Sequence, residues 1–278
     1  MKNKNWLKTA LVAFVILGIM GAFKISQNTG SKDGFTNLFN GKNWDGWHLK
    51  IRNGDSVLVK KLFSIEKNGN IHAFRDMPDS MELNTGKNTT HAMFFTNKKY
   101  SKYIFKFEYK WGKKIYNNFN QFQYDAGMYY HVYEDNIWPK GLEYQVRYDH
   151  TKNVNHTGDF WAKWVTIQWY AKDNNFLLPE NGGEKTASKG SEHLTLKDAK
   201  YNGLNDKWNE CEVIVMGNEY TIHKLNGQIV NVATNLSHSE GIIGLQAETA
   251  EVYYRNIKIK EFTESVPIQT FIPNWKNQ

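Results

Sequence analysis

The chain has 278 residues, with ten Trp, fifteen Tyr, five Pro and a single cysteine, Cys211. One cysteine excludes an intrachain disulfide, and ample apolar content without low-complexity segments excludes a largely disordered chain. The formal charge of +7 is no nucleic-acid signature: Lys2, Lys4, Lys8 and Lys24 carry four of those charges, and the remaining +3 is interspersed with acids, without a basic stripe.

In chain order the first element is a targeting segment. Lys2, Lys4 and Lys8 precede an apolar run over residues 10–23. That run suits a secretory h-region and falls short of the ~20 residues that span a bilayer comfortably. Gly21 and Ala22 make a poor cleavage site, so residues 1–25 read as a signal peptide or an uncleaved anchor. No cysteine follows the run, which argues against a lipid anchor. The expectation is export to the periplasm or cell envelope, with membrane attachment only through this segment. Residues 26–34 form a polar spacer.

The folded part begins near Phe35 and runs to about residue 262. Tyr103, Phe105, Phe107, Tyr109 and Trp111 alternate against Ile104, Lys106, Glu108 and Lys110, the period-2 signature of a strand. Residues 141–149 alternate as cleanly, and runs at 211–216, 219–225, 241–247 and 251–261 are rich in Val, Ile and Tyr. Asn226-Gly227 marks a hairpin turn. No long 3.6-residue period appears after residue 25, so the pattern predicts an all-β, two-sheet antiparallel sandwich. Residues 171–207, rich in Lys, Asp, Asn and Gly, read as a long excursion off the sandwich, and 263–278 as a loosely attached tail. Cys211 lies in an apolar alternation with Val213 and Val215 and reads as a buried, inert thiol.

The chemistry concentrates between residues 125 and 159. Glu143, Gln145, Arg147 and Asp149 share one face of their strand, a polar groove floor able to grip sugar hydroxyls; an ordinary solvent face would look the same. Asp125, Tyr129, His131 and Tyr133 share a face in the same way. His150, His156 and Asp159 add imidazoles and a carboxylate nearby, suited to proton transfer or metal ligation. Trp44, Trp47, Trp161, Trp164 and Trp169 are candidates for stacking on sugar rings, although burial is the commoner fate of Trp. A two-carboxylate glycosidase needs its carboxyls ~5–9.5 Å apart. Six residues along a strand put Glu143 and Asp149 on the order of 20 Å apart, so that pair cannot serve.

Several stretches carry a family resemblance in order and spacing. They are residues 35–42 (Phe-Thr-Asn-Leu-Phe-Asn-Gly-Lys) with Gly46-Trp47, Phe107-Glu108-Tyr109, Asp125-Ala126-Gly127-Met128, and Gly141-Leu142-Glu143-Tyr144-Gln145 with Asp149. Lys207-Trp208-Asn209, Leu225-Asn226-Gly227, residues 241–246 and Arg255-Asn256-Ile257 complete the set. Together they resemble the bacterial 3-keto-disaccharide hydrolase domain family, once a domain of unknown function. Asp125 stands where that family often has Asn. The resemblance implies a concanavalin A-like jelly roll of the lectin and glucanase type, acting on a glycoside already oxidised at C3. The ketone acidifies the C2 proton, a base removes it, the C1 substituent leaves, and water adds.

Such chemistry needs one base and a stabiliser for the enolate, either a divalent metal ion or positioned donors. The expected catalytic residues are Glu143, His156 and His131, either histidine serving as base or metal ligand. Gln145, Arg147, Asp149, Asp125, Glu248 and Arg255 are expected to bind substrate, with Glu108 as a further candidate; the metal ligands are not identified. A non-catalytic carbohydrate-binding module of the envelope is the alternative from another class. A structural envelope protein, with the 143–149 face covered by the excursion, is the third.

Overall fold

The computed structural model describes residues 33–77, 90–117, 119–187, 191–248 and 250–276. The expected signal or anchor segment lies outside the described residues. No helix among them is long and apolar enough to cross a membrane.

Two antiparallel sheets of eleven and eight strands pack face to face as a jelly-roll sandwich. The front sheet runs Glu192–His193, Phe160–Trp161, Lys140–Asp149, Tyr124–Glu134, Ile242–Ala247, Ala92–Thr96 and Trp47–Ile51, with Val154–Asn155 beside Lys140–Asp149. The back sheet is centred on Asn209–Met216, Lys102–Ile115 and Ala250–Glu261. Alternation decides which side chains meet between them. Phe105, Phe107 and Tyr109 from the back sheet face Tyr130 and Tyr144 from the front, all essentially inaccessible. Phe107 meets Tyr144 edge to face at 5.9 Å between centroids. The buried phenols find partners across the core: Tyr109 Oη lies 2.7 Å from Thr157 Oγ1, and Tyr130 Oη 2.9 Å from His223 Nε2. Cys211 is buried in this core.

The Asn226-Gly227 turn forms with φ of 49° and 80°, the pair of positive values that a type I′ hairpin requires. One short helix, Ser56–Leu62, was not legible as a period; Asp55 caps it by accepting from the Val57 and Leu58 amides.

Two expectations about the ends of the domain change. The described parts of the 171–207 segment join the sandwich in two places: Glu184–Ala187 pairs with Gln168–Lys172 in the back sheet, and Glu192–His193 pairs with Phe160–Trp161 at the front-sheet edge. Its polar composition concealed short edge strands, where packing on one side suffices. Nor is the described part of the tail loose. Ile268, Ile272 and Trp275 are buried, with Trp275 edge-on to Tyr170 at 4.9 Å.

Candidate functional site

The outward face of the front sheet holds a cleft of about 510 Å³. On Lys140–Asp149, alternation sends Leu142, Tyr144 and Val146 into the core and leaves Glu143, Gln145 and Arg147 on the cleft floor. On the neighbouring strand Ala126, Met128 and Tyr130 face inward, and Asp125 and Tyr129 line the cleft. Register sets Asp125 opposite Arg147, Gly127 opposite Gln145 and Tyr129 opposite Glu143. Glu248 enters just past the Ile242–Ala247 strand. The walls are Ile137, Trp138 and Pro139 from one connection and Trp161, Lys163 and Trp164 from another, with Trp161 directly across from Glu143 in the sheet. Trp138 and Trp164 are 38% and 42% exposed, so indole faces are available at the mouth.

The floor is polar yet withdrawn from solvent, with Glu143 only 3% exposed. Burial pushes its carboxyl up to about 8; the Glu248 charge adds to this, while a hydrogen bond with Tyr129 and the Arg147 charge oppose it. Asp125 is driven well above the usual carboxylate range, first by burial and then by the Glu248 charge. Gln145 Nε2 donates to Asp125 Oδ1 at 2.5 Å. Glu248 Oε1 accepts from Trp138 Nε1 and Gln246 Nε2, both at 2.8 Å. The floor thus holds three carboxyls from three separate stretches of chain, with one guanidinium among them.

Among the described residues one group of three potential metal ligands gathers: His156, Asp159 and Glu192, with ligand atoms within 4.8 Å of one another. All three are engaged. His156 Nδ1 lies 2.8 Å from Asp159 Oδ2, Asp159 Oδ1 accepts from the Thr195 amide, and Glu192 accepts from Arg147. The guanidinium already supplies the positive charge that a cation would bring. As arranged, these residues fit an ionic brace for Arg147 and do not fit a divalent metal site.

The family profile of the 3-keto-alpha-glucoside-1,2-lyase-like domain matches residues 34–260, nearly the whole sandwich. The chain belongs to this family. The motifs at 35–42, 125–128, 141–145, 241–246 and 255–257 all fall within the matched span. No curated protein matches. Two putative glycosyl hydrolases from Parabacteroides distasonis ATCC 8503 are similar in structure. One is 20% identical over 83% of this chain and 94% of its own, with a TM-score of 0.47. The other is 15% identical over 82% and 99%, with a TM-score of 0.49. Carbohydrate binding module CBM66 from Bacillus subtilis is 12% identical over 78% of this chain and 96% of its own, at 0.44. Membership in the 3-keto-glucoside lyase-like family makes this a carbohydrate-related domain.

Within this lyase-like domain the structure brings Asp125, Glu143, Gln145, Arg147 and Glu248 into one cleft. It takes other expected residues elsewhere. His131 sits at a bulge between Tyr130 and Glu134, with φ of 51°, and its ring turns inward so that Nε2 meets the Gly217 carbonyl at 3.0 Å. It is fully buried, with a pKa lowered to about 4 by burial, and it does not line the cleft. Asp149 lies beyond the cleft and organises the next turn, accepting from the Thr151 amide, the Thr151 hydroxyl and the Lys152 amide. Burial works against its charge, but those bonds and one from Gln121 hold the carboxyl down to about 2. Arg255 and Glu108 pair with each other in the back sheet, Arg255 lying 4.0 Å over the Trp208 ring. His156 does not line the cleft; it meets Arg147 from behind, its amide donating to the Arg147 carbonyl at 3.0 Å and its ring bonded to Asp159.

Sequence reasoning missed Trp138, Lys140, Lys163, Gln246 and His91. Gln246 stood inside a quoted motif, and a period-2 count back from Glu248 would have placed both on one face. Trp138 carried no such signal because it lies in the connection before the site strand, outside any alternation, and His91 because its strand is remote in sequence.

Proposed function

We propose that this chain is an enzyme that cleaves 3-keto-disaccharides or 3-keto-glycosides by C2 deprotonation, elimination and hydration. The observation that carries this reading is Glu143: a buried carboxyl with raised proton affinity on the floor of an open, Trp-walled cleft, beside a guanidinium. A binding module needs the walls but has no use for such a group.

In the proposed reaction Glu143 takes the C2 proton, made acidic by the C3 ketone. A base of pKa about 8 is well matched to this task near neutral pH. Arg147 and the neutral carboxyl of Asp125 stabilise the enolate oxygen, since a carboxyl kept protonated by burial donates a hydrogen bond. The C1–O bond breaks, its electron pair leaves with the oxygen, and Glu248, having taken a proton from solvent as the substrate binds, passes it to that oxygen. Glu248 then deprotonates a water that adds to C1, while Glu143 returns its proton to C2. Net hydrolysis results and both carboxyls end as they began. The indoles of Trp161 and Trp164 stack against the sugar. The lysine-led apolar run at the N-terminus supports an extracytoplasmic site of action.

The test is incubation of the wild type and Glu143→Gln with a panel of 3-keto-disaccharides, with and without a chelator, and with the parent disaccharides as controls. The proposal expects the reducing sugar only from oxidised substrates, only with wild type, and in either buffer. Turnover of the parent disaccharides would instead favour direct two-carboxylate hydrolysis. Sugar binding without turnover on any substrate would leave a binding module.

A further inference from the structure

His91 does not line the cleft but stands behind two residues that do, Glu248 and Trp138. It follows Thr90 at the start of the Ala92–Thr96 strand and is 1% exposed. Neither ring nitrogen has a hydrogen-bond partner among the described residues. An imidazole so withdrawn from water and left without a hydrogen bond costs folding free energy, which calls for a reason. Its Nδ1 lies 3.5 Å from Glu248 Oε1, the same oxygen that accepts from Trp138 and Gln246. The ring stands edge-on to Trp138 at 5.0 Å, which fixes its orientation. The charged groups that act on it are Glu248 and Arg52, and Arg52 is held 4.4 Å over the other contact, Trp138.

We propose that His91 is the positioning residue for Glu248, closing from 3.5 Å to a hydrogen bond in the substrate complex. This rests on the elimination reading, in which Glu248 gives a proton to the leaving oxygen and takes one from water. Donors that strengthen only as charge develops accelerate a step without tightening substrate binding. Distances of this kind are often long in the free enzyme and shorten in the complex. Burial keeps the ring neutral, so it has one N–H to offer and no charge to repel Arg52.

The experiment has two arms. In the first, His91→Phe is expected to lower kcat on the order of tenfold, or about 1.4 kcal/mol of transition-state stabilisation. KM should hold, one limb of the pH profile should move, and His91→Asn, which keeps a donor, should recover part of the loss. Thermal melts confirm folding. Unchanged kcat and pH profile in a folded His91→Phe protein overturns the proposal. The second arm needs no turnover: the His91 imidazole is titrated by NMR in the wild type and in Glu248→Gln. Loss of the carboxylate is expected to lower the imidazole pKa and move its nitrogen shifts. Identical titrations overturn the pairing. A coupled titration in a protein that turns over nothing keeps the pairing and removes the reaction.

Discussion

The Glu143 carboxylate lies directly over the backbone of Gly127: a methyl group on that glycine would stand 2.1 Å from Glu143 Oε1 and 3.2 Å from Gln246 Oε1. Gly127 and Glu143 are on adjacent strands, two register positions apart, Gly127 pairing with Gln145. The missing side chain is the space that the proposed base occupies.

Gly127→Ala is therefore expected to fold and to displace Glu143. A misplacement of about 1 Å costs on the order of 10²-fold in turnover. Kinetics on a 3-keto-disaccharide, with a melting curve as the fold control, measure this. Wild-type kcat in the variant would show that Glu143 does not act from this position.

Glu143→Gln should lose on the order of 10²–10⁴-fold in kcat while still binding substrate analogues. In the wild type, kcat/KM should rise with pH and level off above about 8, as the carboxyl ionises. A profile flat from pH 6 to 9 would assign the base elsewhere.

The same carboxyl links stability to pH. Its folded-state pKa of about 8 exceeds the ordinary 4.5, so between these values the folded state binds more protons than the unfolded one. The stability it contributes is fully present below about 4.5 and lost as pH rises through about 8. Glu143→Gln removes this dependence, so its Tm should exceed that of the wild type at pH 9 and converge with it at pH 4.5. Parallel melting curves across this range would contradict the burial argument.

His131→Asn should leave turnover unchanged and cost about 1–3 kcal/mol of stability, because it removes a buried imidazole bonded to the Gly217 carbonyl. Asn tolerates the positive φ at this bulge, so the loss reports the contact and not backbone strain. Urea unfolding measures it.

Trp164→Ala should raise KM roughly tenfold, or about 1.4 kcal/mol, with kcat retained. The exposed indole forms a wall and touches no proton-transfer group described here. An unchanged KM would place the sugar elsewhere in the cleft.

The amino-acid sequence by itself determined the two-sheet sandwich, the family, and the face on which Glu143, Gln145 and Arg147 lie. Period-2 alternation is a property of the backbone within one strand, so it is legible in a window of nine residues. Tertiary structure alone decided what meets that face. Asp125 joins through strand register, Glu248 through the return of a distant strand, and Glu192 through an edge strand hidden in a polar segment. It also decided what leaves: a bulge between Tyr130 and Glu134 turned His131 from the cleft into the core, and the turn after residue 149 claimed Asp149. Register, bulges and burial are set by partner strands far away in the chain, and burial is what turns Glu143 from an ordinary carboxylate into a candidate base.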